Sequence, residues 1–205
     1  MAQQDMLAAA HAAVKAALGK GAQEASARTY RVREVNVKWR DGKLEQIDEA
    51  TTRGLGLSLY VDGRFSSVST SDLRPEALDT FIGDSVVLTR ALAKDPFRAL
   101  PDPKLYEGQA KVDLLLEDPK YSTVTPEQRR SVAKEIEAAA RSVKGAEAIL
   151  SVTSNFSDTL AETWRVTSNG FSGARRDTSF FISAEVSVKD PDGRKPEDYA
   201  YGGSR

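Results

Sequence analysis

The chain has 205 residues, 40% of them hydrophobic and 29% charged. This is the composition of an ordinary globular protein with one large or two small domains. Lys and Arg number 29 against 30 for Asp and Glu, giving a net charge of −1. Without clustered basic residues, binding of nucleic acid through its phosphates is not expected. The absence of cysteine excludes disulfides, thiolate catalysis, iron–sulfur clusters and cysteine-rich zinc sites, and fits a cytoplasmic location.

The first third of the chain predicts a helix followed by an antiparallel meander. Residues 4–18 form an amphipathic helix rather than a signal peptide, because charged side chains interrupt them. The predicted apolar stripe consists of Leu7, His11, Val14 and Leu18. Asp41-Gly42 and Asp62-Gly63 are typical of two-residue hairpin turns, which need positive φ. Between these turns one sheet face is marked by alternating Leu55, Leu57, Leu59 and Val61.

A second helix is predicted over residues 75–94, with Pro75 at its first position. Its buried face should carry Leu78, Ile82, Val86, Thr89 and Ala93. Several prolines follow, so residues 95–125 are interpreted as a linker or an extended arm. The predicted organisation is therefore a subdomain over residues 1–94, this linker, and a second subdomain over residues 126–205.

The second half repeats the order of the first. Thr125-Pro126-Glu127-Gln128 is a helix-capping box, and the helix it opens should bury Val132, Ile136, Ala140 and Val143. Alternating strands follow, with a hairpin turn at Asn169-Gly170. No run approaches the roughly 18 apolar residues of a membrane-spanning helix. The predicted fold class is α+β, built from two helix-plus-antiparallel-meander halves joined by a proline-containing linker.

Few residues are candidates for chemistry. The chain has one histidine, His11, which we interpret as a helix-face or interface residue. A histidine-based zinc site or a Ser-His-Asp triad needs more than that. Among the carboxylates, Glu34, Glu162 and Glu185 lie within strand-like runs. They are candidates for paired acid–base work, although structural salt bridges are the favoured interpretation.

Two glycine-containing stretches are interpreted as structural. Gly54-Leu55-Gly56 lies inside a strand pattern, so it lacks the strand-to-helix context of a dinucleotide site. Its glycines are expected to permit a close backbone approach or a bulge. Ser168-Asn169-Gly170-Phe171-Ser172-Gly173 has the composition of a turn, and no helix is predicted after it.

Two stretches nevertheless resemble a known family. The first begins at Val37-Lys38-Trp39-Arg40-Asp41-Gly42 and continues through Arg53-Gly54-Leu55-Gly56-Leu57 and Val61-Asp62-Gly63-Arg64 to Ser69-Thr70-Ser71-Asp72-Leu73. The second comprises Thr167–Gly173, then Asp192-Gly193, Asp198-Tyr199 and Gly202-Gly203-Ser204-Arg205. Together they resemble the N-terminal domain of the TldD/PmbA proteins, also called TldD/TldE or modulator of DNA gyrase proteins.

This resemblance implies a cytoplasmic prokaryotic protein of about twice this length. In the family, TldD-type and PmbA (TldE)-type subunits pair into a metallopeptidase that trims peptides and unfolded chains. Zinc is expected only on the TldD-type subunit, on a His-Glu-x-x-x-His helix that this sequence lacks. No catalytic, metal-binding or cofactor-binding residue is therefore assigned. The Ser168–Gly173 stretch looks more like PmbA than TldD.

The expected role is that of a non-catalytic, PmbA-like portion that walls a substrate chamber and fixes subunit pairing. Its expected partners are its own C-terminal domain, a TldD-type subunit and a peptide or unfolded chain, with neither nucleic acid nor membrane. The residues that carry the family motifs are expected to act as structural turns: Asp41, Gly42, Arg53, Gly54, Gly56, Asp62, Gly63, Ser168, Asn169 and Gly170. Two alternatives stay open. One is the front half of a zinc-bearing TldD-type subunit, and the other is a stand-alone binding or adaptor module.

Overall fold

The computed structural model describes residues 3–108 and 112–205. Its helices are α1 (Gln3–Gly19), α2 (Pro75–Arg90) and α3 (Pro126–Arg141). Its strands are β1 (Glu24–Arg40), β2 (Lys43–Val61), β3 (Arg64–Thr70), β4 (Ile149–Thr167), β5 (Ser172–Val188) and β6 (Glu197–Ser204). Short 3-10 turns lie at Pro103–Tyr106, Tyr121–Thr123 and Ala146–Ala148.

Both predicted meanders belong to a single six-stranded antiparallel sheet, in the order β3-β2-β1-β4-β5-β6. The α+β class predicted from the sequence is confirmed. Four of the strands are 17 to 19 residues long, well above the usual five or six. Among the described residues, no helix is both long enough and apolar enough to cross a membrane.

The chain forms two compact units that share these long strands. The first unit comprises residues 1–31, 52–112 and 162–176, and the second comprises residues 32–51, 113–161 and 177–205. The units are thus interleaved along the chain, whereas the subdomains predicted from the sequence follow chain order.

In the first unit, α1 and α2 cover one face of the sheet. The fully buried row Leu55, Leu57, Leu59 and Val61 is the alternation predicted from the sequence. α2 begins at Pro75 and buries Leu78, Ile82, Val86 and Thr89 as predicted, but it ends at Arg90, four residues early. The predicted stripe on α1 is only partly right: Val14 is buried and Leu7 is half-buried, but the other buried positions are Met6, Ala10, Ala13 and Ala17. Small alanines face the sheet there, while His11 and Leu18 are exposed.

In the second unit, α3 packs on the sheet over a smaller core. Val37, Ala133 and Phe156 are its buried members, with Trp39, Val132 and Phe180 packed against them. The predicted capping box is present: the Thr125 hydroxyl accepts from the Gln128 amide, and the Gln128 side chain accepts from the Thr125 amide. These bonds satisfy amide groups that the first helical turn leaves without partners.

The hairpin turns follow from their Asp-Gly dipeptides. Asp41 and Gly42 have φ of 46° and 77°, and Asp62 and Gly63 have φ of 51° and 72°. Both residues of each pair are thus left-handed, as a type I′ turn requires. Gly170 has a φ of 107°, in the turn between β4 and β5. These turns set the registers that place the site residues.

Candidate functional site

A buried ion pair joins α3 to the sheet in the second unit. Arg129 and Asp158 are 5% and 0% exposed. Arg129 Nε lies 2.5 Å from Asp158 Oδ2, and Nη2 lies 3.1 Å from Oδ1. A third bond runs from Nη1 to the carbonyl of Val124, at 3.0 Å. This two-pronged geometry is the strong form of an arginine–carboxylate contact.

Arg33 and Tyr121 extend this pair towards the surface. Arg33 Nη1 lies 3.9 Å from Asp158 Oδ1 and donates to the Tyr121 hydroxyl at 3.3 Å. Its Nη2 lies 2.8 Å from the exposed carboxylate of Glu49. Burial, together with a hydrogen bond to Asp158, raises the pKa of Tyr121 to about 12. The phenol therefore stays protonated, and its ring packs against Phe180 with centroids 5.9 Å apart.

The family-motif turn at Asp41-Gly42 is hydrogen-bonded to α3 and β4. Asp41 Oδ1 accepts from the Val152 amide at 3.0 Å and from Arg141 Nη2 at 2.5 Å. The Val152 amide is the main cause that lowers the pKa of Asp41. The Gly42 amide donates to both oxygens of Glu137, at 2.9 and 3.1 Å.

The fully buried row of α3 contains two charged residues, and the predicted row is only partly right. The structure buries Arg129, Ala133 and Glu137, whereas Val143 is 59% exposed. Val132, Ile136 and Ala140 are only half-buried and flank that row. Sequence reasoning missed Arg129, Glu137 and Asp158, because a charged side chain is assigned to solvent unless its partner is known. One feature of the sequence could have indicated this row: Arg129, Ala133 and Glu137 are spaced four residues apart, which places them on the same face of a helix.

Chemically, these contacts form a structural network. Arginine side chains hold carboxylates, and those carboxylates hold a helix and a turn against the sheet. Across residues 3–108 and 112–205, no group of three or more His, Asp or Glu side chains is placed to bind a metal ion.

The three strand carboxylates fall in different settings. Glu162 lies in the first unit and is 13% exposed, between Arg31 at 3.7 Å and Arg176 at 3.9 Å. This is the salt-bridged interpretation favoured from the sequence. Glu34 and Glu185 lie in the second unit and are exposed.

His11 is exposed on α1. Its Nε2 lies 3.5 Å from the Ser172 hydroxyl, at the outer limit for a hydrogen bond. The structure thus places this histidine on a helix surface, consistent with the helix-face interpretation, although not on the apolar stripe.

Gly54 provides a close approach of the kind expected from the sequence. A Cβ atom at this buried position would lie 2.6 Å from the Tyr30 hydroxyl and 2.9 Å from the Thr70 carbonyl oxygen. Gly56 is different, because a Cβ there would meet only the Arg28 carbonyl, at 3.9 Å. Arg53 is exposed beside them.

The Asp62-Gly63 turn is fixed by Gln23, whose Oε1 accepts from the Asp62 amide at 2.6 Å. The Gly63 carbonyl accepts from the amide of Asp95 at 2.9 Å. The turn therefore anchors the start of the proline-containing segment that follows α2.

The Ser168-Asn169-Gly170 turn holds the next part of that segment. Asn169 Nδ2 donates to the Pro101 carbonyl at 2.7 Å, and the Tyr106 hydroxyl lies 3.3 Å from Asn169 Oδ1. Ser168 bonds back to Ala25 twice, through its amide at 2.8 Å and its hydroxyl at 3.0 Å. The motif thus connects the proline-containing segment to the sheet of the first unit through hydrogen bonds.

Each unit also exposes an apolar groove. In the first unit a groove of about 410 Å³ runs between α1 and α2. Ala8, Ala12 and Ala16 line one wall, and Leu78 and Ile82 line the other. In the second unit a groove of about 520 Å³ lies between α3 and strands β5 and β6.

Comparison with known proteins decides the family. The family model for PmbA/TldA metallopeptidase domain 1 matches residues 25–88, and that for the PmbA/TldA metallopeptidase central domain matches residues 119–205. The chain belongs to the PmbA/TldD family. The motif turns Asp41-Gly42 and Asp62-Gly63 lie in the first match, and Asn169-Gly170 lies in the second.

Solved structures agree with this family. The chain is similar to a protein from Bacteroides thetaiotaomicron described as a modulator of DNA gyrase, with 34% identity and a TM-score of 0.90. That match covers 100% of this chain and 46% of the other. A Thermotoga maritima protein of the same description and TldE from Thermococcus kodakarensis share the fold, each with a TM-score of 0.73 and 14% identity. They are matched over 97% and 96% of this chain and 43% of their own.

This PmbA/TldD chain thus spans about half the length of the solved relatives that it matches. Among curated proteins, none matches it significantly.

Proposed function

We propose that this chain is the N-terminal, non-catalytic portion of a PmbA/TldD-type metallopeptidase component, of the PmbA (TldE) kind, acting in the cytoplasm. The observation that carries the proposal is the pair of family matches, which assign residues 25–88 and 119–205 to the first and central domains. A relative with 34% identity is covered over only 46% of its length. In this proposal, zinc and the catalytic residues belong to the TldD-type partner subunit.

The networks described above support a scaffold role. Glu137 and Asp158 are buried, and each holds a backbone turn or a helix rather than facing a cleft. The motif turns do likewise, since Asp41 and Asn169 are occupied by bonds to β4 and to the proline-containing segment. Such a chain supplies a rigid wall on which another domain or subunit arranges its chemistry.

An exposed strand edge supports the proposed handling of unfolded chains. Residues 43–51 of β2 are exposed throughout, and β3 pairs with β2 only from Leu55 to Val61. A free edge can take an extended peptide through main-chain hydrogen bonds, which are largely independent of side-chain identity. This suits a peptidase component that accepts many sequences.

The test is to purify the full-length protein, tag-free, alone and together with its TldD-type partner. Zinc is measured by plasma mass spectrometry and cleavage is measured on an unfolded peptide substrate. We expect zinc and activity only when the partner is present. His11→Ala should leave the activity of the pair unchanged, because His11 is an exposed helix residue.

Two results would contradict the proposal. The first is stoichiometric zinc in the protein alone, removed by a chelator together with peptidase activity. The second is a His-Glu-x-x-x-His segment downstream of Arg205 in the gene, which would make this chain the front half of a zinc-bearing TldD-type subunit. A stable, partnerless protein with neither property would indicate the stand-alone binding module.

A further inference from the structure

In the first unit, β1 and β4 place two arginines directly opposite each other. The Ser168 amide donates to the Ala25 carbonyl at 2.8 Å, and in an antiparallel pair this bond joins residues that lie opposite. Three residues further along this ladder, Arg28 of β1 therefore lies opposite Arg165 of β4. Like charges in this position repel each other and destabilise the sheet.

A second cross-strand pair supports this register and shows the usual arrangement of charges. Three residues beyond Arg28, Arg31 lies opposite Glu162, and their charged groups are 3.7 Å apart. That pair joins opposite charges. In the part of the chain that the structure describes, neither Arg28 nor Arg165 is paired with a carboxylate. Glu24, the nearest acidic residue along β1, accepts instead from a backbone amide of the proline-containing segment, at 3.3 Å.

Both arginines lie on the sheet face opposite to α1 and α2. Ala27 and Val166, which adjoin them in the sequence, are buried in the core below these helices. Because successive side chains of a strand point to opposite faces, Arg28 and Arg165 point away from that core, and both are exposed. On β2 and β3 the same face continues with short uncharged residues: Gly56, Ser58, Ser67 and Ser69. A ligand can therefore lie flat beside the two charges.

The two guanidinium groups lean away from each other along the sheet. Arg28 Nη2 donates to the Thr163 hydroxyl at 3.5 Å, and Arg165 Nε donates to the Ser26 hydroxyl at 3.3 Å. In the register above, Thr163 and Ser26 lie on opposite sides of the arginine pair. This is the arrangement expected of two like charges without a counter-ion between them. Each hydroxyl keeps its own proton, which it can donate to an anion.

We propose that this arginine pair, Arg28 and Arg165, binds an acidic segment of an unfolded polypeptide. The inference rests on the proposed function and adds a substrate class to it, beyond the main-chain bonds proposed for β2. Alternate side chains of an extended segment lie on one face, about 7 Å apart, so two carboxylates can each meet one guanidinium. The flat, exposed setting favours a chain that spreads over the face. A free small anion would meet only two solvent-screened charges.

The test is the binding of dye-labelled peptides to the full-length protein, followed by fluorescence anisotropy. The probe is an unstructured Gly-Ser peptide that carries Asp-x-Asp segments, and its reference peptide has Asn in place of each Asp. We expect the Asp peptide to bind more tightly, with a dissociation constant that rises with salt concentration. The assay needs neither zinc, nor a TldD-type partner, nor cleavage. A failure here is therefore distinguishable from a failure of the proposed function.

Single substitutions test the two arginines separately. Arg28→Gln and Arg165→Gln should each raise the dissociation constant of the Asp peptide about fivefold, the upper range for one exposed ion pair. Arg53→Gln is the matched control, because Arg53 is also exposed but lines a cleft at the start of α2. It should leave the constant unchanged. Neither Arg28→Gln nor Arg165→Gln should lower the urea midpoint of the protein, because each removes a like-charge contact.

Three kinds of result would overturn the proposal. Equal binding of the Asp and Asn peptides, or binding that ignores both Arg28→Gln and Arg165→Gln, would show that the pair is not the binding site. Inorganic phosphate that displaces the Asp peptide more effectively than sodium chloride at equal ionic strength would indicate a site for a small oxyanion instead. A lower urea midpoint in either arginine variant would show that the protein's own groups satisfy these charges.

Discussion

At Gly54 the structure leaves no room for a Cβ atom, so substitution by alanine is predicted to destabilise the fold. Replacing it with alanine places a Cβ 2.9 Å from the Thr70 carbonyl oxygen and 2.8 Å from Cζ of Tyr30. The ring of Tyr30 can turn aside. The Thr70 carbonyl cannot, because it belongs to the backbone of β3 and Thr70 is paired with Leu55 of β2. Gly56→Ala is the matched control, because its Cβ would make only an ordinary contact at 3.9 Å.

Both substitutions remove the same conformational freedom from the unfolded chain, a gain of about 0.4–1 kcal/mol each. The difference between the two variants is then the cost of overpacking, about 1–3 kcal/mol. We expect Gly54→Ala to unfold at lower urea concentration than Gly56→Ala by that margin. Urea unfolding followed by far-ultraviolet circular dichroism measures this difference. Equal stability of the two alanine variants would refute the close-approach argument.

Two further predictions concern the charged network. Asp158→Asn should cost about 3–5 kcal/mol of unfolding free energy, because it leaves the buried charge of Arg129 without its counter-ion. Glu127→Gln, at an exposed pair on the same helix, should change the unfolding midpoint far less in the same denaturation assay. The pKa of Asp41 is lowered, first by the Val152 amide, so its contribution to stability is complete above the ordinary carboxyl range and is lost as the pH falls through the folded pKa. Asp41→Asn should therefore lower stability at neutral pH and flatten the acid side of the stability curve; an unchanged acid side would contradict this assignment.

The turns that carry the family motifs are held by contacts between residues far apart in the sequence. Each motif turn is fixed by a different long-range contact: Asp41 by β4 and α3, and Asn169 by the proline-containing segment. Both of these motif turns thus make contacts that hold the fold together. In the part of the chain that the structure describes, β2 also has an exposed stretch over residues 43–51 beyond its pairing with β3, and it is there that peptides are proposed to bind.

Local features could be predicted from the sequence because a few neighbouring residues decide them. The Asp-Gly turns, the capping box at Thr125 and the start of α2 at Pro75 depend on backbone preferences within about four residues. The alternation from Leu55 to Val61 likewise specifies one buried face without reference to the rest of the chain. These elements determined the fold class correctly.

The candidate site depended on contacts between residues far apart in the sequence. Arg129 is buried only because Asp158 meets it from β4, and Glu137 only because the Gly42 amide and Arg141 satisfy it. A buried charge is stable only with a partner in place, and no local pattern names that partner. The same holds for Gly54, which lies against the Thr70 carbonyl of the neighbouring strand, and for the union of both meanders in one sheet. The sequence by itself therefore determined the turns, caps and alternating strands, whereas the tertiary structure decided which charges and glycines lie inside.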